Sequence, residues 1–121
     1  MSISNEALQK LVQEIETQAI QAQQQINIVK SQISVKQRDM RLLQLTSSEV
    51  STLPANTNIY EGVGKMFVFS PTTEVDKRLT SETAGLKTDV ETLNKKLHYL
   101  ETTYKNSRDH MEQIFKSGGR A

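Results

Sequence analysis

Two stretches of equal length share one periodicity, and it constrains the fold more than any other feature of the chain. Alternating steps of four and three from Leu8 reach Leu8, Val12, Ile15, Ala19, Ala22, Ile26, Val29, Ile33, Lys36, Met40 and Leu43, and ten of these eleven are apolar. The same steps from Leu79 reach Leu79, Thr83, Leu86, Val90, Leu93, Leu97, Leu100, Tyr104, Ser107, Met111 and Ile114, nine of them apolar. Apolar residues sustained at a 3.5-residue average give a helix one narrow seam, the signature of a coiled coil. Each seam spans 36 positions, about 55 Å of helix. Equal seams joined by a connector should fold back antiparallel. Ala19 and Ala22 then lie roughly level with Tyr104 and Leu100, small residues against large ones. Lys36 is the break in the first seam, either with its stem along the apolar stripe and its ammonium in water or as a polar residue that sets the register. Ser4 or Asn5 stands where an N-cap is needed.

A narrow seam suits the composition. Three Phe, three Tyr, no Trp and a mean hydropathy of −0.53 are a poor recipe for a compact core. Fifteen basic and fourteen acidic residues are well mixed along the chain. That balance argues against nucleic acid or an anionic membrane as a partner, because both select a basic face. The absence of cysteine excludes disulfides, thiolate metal sites and cysteine nucleophiles, and suits a reducing compartment. No apolar run approaches the roughly 20 residues of a spanning helix, and the polar Met1–Lys10 stretch does not read as a signal peptide. The expectation is a soluble, cytoplasmic chain, with a nuclear presence left open.

Between the seams, Asn58 to Phe69 is the only stretch with strand chemistry. Ile59, Tyr60 and Val63 precede a turn near Gly62–Lys65, and Met66, Phe67, Val68 and Phe69 follow it. β-branched and aromatic residues favour a pleated surface, and Gly62 and Gly64 can take the positive φ of a tight turn. Met66 and Val68 point to one face and Phe67 and Phe69 to the other, so both faces are apolar. A lone hairpin is marginal in water, and one with two apolar faces and two open edges needs more sheet. Oligomerisation through Asn58–Phe69 follows from these residues alone.

The expected organisation is a single, mainly α domain over residues 1–121. Helix 1 covers 5–45, a connector with a short helical turn 46–57, the β-hairpin 58–69, helix 2 72–115 and a flexible tail 116–121. Thr46-Ser47-Ser48-Glu49 reads as a capping box that breaks the first helix. Pro54 ends the turn that follows, and Ser70 or Thr72 offers a cap for the second helix. Ile28, Val35 and Leu42 form a second heptad-spaced line, which near Leu42 is expected to pack on the Val50–Leu53 turn or on the hairpin.

No catalytic constellation emerges. Neither His98 nor His110 has a His or carboxylate at i+3 or i+4 on an apolar face that would suggest a metal site, and both read as exposed or flanking positions. Gly62-Val63-Gly64 lacks the third glycine and the strand–turn–helix setting of a dinucleotide fingerprint. Neither an enzyme nor a cofactor or metal site is expected. Ile3, Leu11 and Phe115, apolar and off the seams, fall at the free helix ends, where they either wrap the tip or make it adhesive.

Asn58-Ile59-Tyr60-Glu61-Gly62-Val63-Gly64-Lys65-Met66-Phe67, with Leu45-Thr46 upstream and Leu100-Glu101 downstream, resembles the β-type subunits of prefoldin. The architectural likeness runs over about residues 5–115, and its sequence-specific part is essentially Leu45–Phe69. In that family α-type subunits carry two hairpins, and this connector has room for one. The resemblance implies a heterohexamer of two α-type and four β-type subunits whose hairpins join in an intersubunit β-barrel. It further implies that coiled-coil tips hold unfolded actin and tubulin and pass them to the cytosolic chaperonin without ATP. On this chain Ile59, Tyr60, Val63, Met66, Phe67, Val68 and Phe69 would build the barrel. Ile3, Leu8, Leu11, Met111, Ile114 and Phe115 would lie at the client-binding tip. The main alternative is a coiled-coil tether or scaffold that docks folded partners. A helical-hairpin arm for nucleic acid is disfavoured by the balanced charge.

Overall fold

The computed structural model describes residues 4–118. Helix α1 runs Asn5–Ser51, strand β1 Ile59–Val63, strand β2 Met66–Ser70 and helix α2 Thr72–Gly118. The expected order of two long helices around one antiparallel hairpin is therefore the observed one. The described chain clusters into two units, one of residues 4–32 with 93–118 and the other Ile33–Thr92.

In the first unit the seam of α1 supplies the core, with Ile15, Ala22, Ile26 and Val29 buried and Val29 fully so. Leu8, Val12 and Ala19 on α1 are half-buried, as is every seam residue of α2 from Leu93 to Ile114. The Ser4 hydroxyl accepts from the Ala7 N–H at 3.2 Å and so caps the start of α1. Such a bond satisfies one of the amides that the first helical turn leaves without a partner.

In the second unit Ile33, Val75 and Leu79 are buried, and Lys36, Met40, Leu43, Thr83, Leu86 and Val90 are half-buried. Lys36 Nζ lies 3.7 Å from Asp89 Oδ2, so its stem follows the seam while its charge meets the opposing helix. The pair is consistent with the antiparallel register here, though at 3.7 Å and open to solvent it contributes no more than about 1 kcal/mol. It answers the one polar interruption of the first seam, at a site still open to solvent.

Helix α1 does not break at Thr46. The Thr46 hydroxyl turns back and donates to the Leu42 carbonyl at 2.9 Å, a bond that Thr makes inside a helix as readily as it caps one. Without Gly or Pro between Thr46 and Ser51, nothing stops the ladder there. It stops where the Ser51 and Thr52 hydroxyls take the Ser48 and Glu49 carbonyls, both at 2.7 Å, shortly before Pro54. The consequence reaches Leu42. Because Val50 continues the same helix, no separate turn folds back on Leu42, which is 56% exposed. At the far end α2 continues past Phe115 to Gly118, its last turn carrying a Glu112–Lys116 pair at 3.5 Å.

Candidate assembly interface

The hairpin pairs Ile59 with Ser70, Tyr60 with Phe69, Glu61 with Val68, Gly62 with Phe67 and Val63 with Met66. Gly64 and Lys65 form the two-residue turn, and Gly64 alone has positive φ, at 62°. Positive φ at only the first central residue is the type II′ pattern, whose twist matches that of the strands and which glycine adopts without steric cost. Gly62 needs no such freedom. A ring carbon of its cross-strand neighbour Phe67 lies 3.9 Å from where a Gly62 side chain would begin, so the ring covers that gap in the sheet.

Alternation sorts the ten strand residues onto two faces. Ile59, Glu61 and Ser70 are the half-buried residues of one face, which also carries the exposed Val63, Met66 and Val68, and Glu61 accepts from Arg78 of α2 at 2.8 Å. Arg78 also reaches Glu82 one turn along, at 3.7 Å. One guanidinium thus joins the sheet to the helix beneath it. Arg78→Ala should cost the isolated chain no more than about 1 kcal/mol, because the pair is partly solvated. Amide exchange in β1 and β2 should nevertheless quicken severalfold, with that of α2 unchanged.

The opposite face carries Tyr60, Phe67 and Phe69, and Tyr60 meets Phe69 edge to face at 6.1 Å between ring centres. Phe67 is 77% exposed and Met66 69%, and Tyr60, Val63, Val68 and Phe69 are exposed as well. Six large apolar side chains therefore face solvent from one two-stranded sheet. Each strand also presents an unpaired row of backbone donors and acceptors along its outer edge. Of the seven hairpin residues singled out in the sequence, only Ile59 is half-buried. Such a surface is chemically suited to β-augmentation and apolar packing.

Of the six expected tip residues, Ile3 lies outside the described residues. Leu8, Leu11, Met111 and Ile114 are half-buried, and Phe115 is 60% exposed. Met111 and Phe115 share one face of α2 with Tyr104 and Arg108, whose guanidinium sits 5.9 Å from the Tyr104 ring centre. That cation–π pair was not read from the sequence, although the four-residue spacing of Tyr104 and Arg108 on a helix signals it. The sequence reading also passed over Ile20 and Tyr99, both exposed. His98 and His110 are exposed too. Among the described residues no helix is long and apolar enough to cross a membrane.

The architecture and this hairpin are those of known proteins. The family model for prefoldin subunits matches residues 13–118. Probable prefoldin subunit 1 of Schizosaccharomyces pombe is 34% identical over 110 residues, covering 91% of this chain and 98% of that one. Prefoldin subunit 1 of Homo sapiens is 29% identical over 107 residues, 88% of each chain. The crystal structure of the prefoldin beta subunit from Thermococcus strain KS-1 superposes with a TM-score of 0.77 at 22% identity, over 88% of this chain and 90% of that one. Its fold is thus shared where little sequence is. A family match over most of the length, on the helix–hairpin–helix frame that the seams dictate, makes this chain a member of the prefoldin family.

Proposed function

We infer that this chain is a β-type subunit of a heterohexameric, ATP-independent holdase with two α-type and three further β-type partners. The observation that carries the reading is the apolar hairpin open to solvent on both faces, with Phe67 and Tyr60 exposed on one and Met66 on the other. Family membership makes the chain a chaperone subunit with other prefoldin subunits as its partners. The finer steps are proposals. Hairpins from all six subunits close a β-barrel body, which removes their edges from water. The helix ends carrying Leu8, Leu11, Met111, Ile114 and Phe115, with Ile3, hold non-native actin and tubulin for transfer to the chaperonin in the cytoplasm.

A holdase must bind weakly enough to let go. One tip burying a few side chains gains only about 25 cal/mol per Å² before entropy is counted. Several tips on one body raise the effective concentration of the rest, so a client is retained and yet released stepwise. No cofactor or nucleotide enters this scheme.

Native mass spectrometry of the chain co-expressed with prefoldin subunits tests assembly. A hexamer with one copy of this chain is expected, and a homo-oligomer that ignores those subunits would favour a tether docking folded proteins. Deleting Met1–Leu11 together with Asp109–Ala121 should leave the hexamer intact and reduce its suppression of actin aggregation. Undiminished suppression would remove the tip role from this subunit.

A further inference from the structure

Glu61 carries the only charge among the ten residues of β1 and β2. It shares its face of the sheet with Val63, Met66 and Val68, which are apolar and exposed, and Val68 stands directly across from it on β2. Its side chain is 23% exposed, against 50% for Arg78 and 51% for Glu82, so it is the most sheltered charge of the three. Arg78 is its one ion-pair partner among the described residues, with Nη1 2.8 Å from Oε2. The same guanidinium keeps its Nε 3.7 Å from Glu82, one turn along α2.

In the isolated chain water still reaches this pair, and it adds little to stability. The balance changes when the apolar side chains around Glu61 are covered. The water that solvates Glu61 then leaves with the water over Val63, Met66 and Val68. A carboxylate in that position is strongly unfavourable unless a positive charge goes with it. A partner held in place beforehand spares the incoming subunit from supplying one and from ordering a side chain to do so.

We propose that Arg78 is the built-in counter-ion of the assembly surface: it neutralises Glu61 so that the face bearing Val63, Met66 and Val68 can lose its water against the sheet of a neighbouring subunit. The inference rests on the hexameric reading above and assigns to it a positioning residue outside the hairpin, on α2. Arg78 acts through Glu61 rather than on the neighbour itself.

Competition for assembly tests this. Each variant is mixed in equal amount with isotope-labelled wild-type chain and limiting amounts of the other prefoldin subunits. Mass spectrometry of the purified hexamer reads the ratio incorporated. Arg78→Ala should be depleted about tenfold or more, because it leaves a desolvated carboxylate unpaired. The same variant, isolated, should melt within about 4 °C of wild type. The double variant Glu61→Gln with Arg78→Ala should return to near-equal incorporation, since a neutral amide needs no counter-ion. A tether that merely held sheet to helix would leave the double variant as depleted as the single one, and that result overturns the proposal. Equal incorporation of Arg78→Ala overturns it as well. Phe67→Asp, on the opposite face, separates the two levels of the argument. If it is excluded while Arg78→Ala competes equally, the counter-ion role alone fails, whereas normal incorporation of Phe67→Asp removes the hexameric reading beneath it.

Discussion

Phe67→Asp should abolish incorporation into the proposed hexamer and leave the isolated chain folded. Phe67 is 77% exposed, so the isolated chain loses almost no buried area and its helix signal in circular dichroism should be unchanged. At the interface both losses fall together, the apolar ring and the desolvation of a carboxylate with no partner. A penalty of about 3 kcal/mol already corresponds to more than a hundredfold in association. Size-exclusion chromatography of the co-expressed subunits should therefore show the variant almost entirely outside the complex. Normal incorporation would mean that this face of the sheet is not an interface.

The second large effect lies in the seam. Leu79 is 3% exposed in the second unit, beside Val75 at the start of α2. Leu79→Ala should cost about 2–5 kcal/mol, from the lost transfer energy and the cavity left behind, offset only slightly by alanine's better helix propensity. For a chain of this size that lowers the melting midpoint by about 8–20 °C. Tyr99→Ala is the matched control, since Tyr99 is 70% exposed and should change stability by no more than about 0.5 kcal/mol. Thermal melts of the two isolated variants compare a seam position with a surface one on the same helix. Equal midpoints would contradict the assignment of the seam.

Long-range periodicity was the most legible part of the sequence. All 22 seam positions are buried or half-buried, including Thr83 and Ser107, which are polar but stand in step. The period carries this information because each position is checked by ten others in the same helix. The hairpin was legible for a similar reason, with β-branched and aromatic residues on both sides of a glycine turn. Isolated local signals were less dependable. Thr46-Ser47-Ser48-Glu49 has the residues of a capping box, and the same Thr hydroxyl is satisfied inside a continuous helix by the Leu42 carbonyl. The expected cover for Leu42 failed with that break. The Arg78 link between Glu61 and Glu82 was not legible at all, because Glu61 and Arg78 are 17 residues apart and nothing periodic relates them.

The exposed sheet also bears on how much of this protein a cell can carry. Unassembled copies display the same kind of surface, apolar and edged with free backbone groups, that marks a damaged protein for disposal. Two such copies can also pair with one another, at a rate that rises with the square of their number. Synthesis beyond the supply of partners therefore ends in turnover or precipitation rather than in a standing reserve. The abundance of the chain should therefore follow that of its companions, through Phe67 and its neighbours.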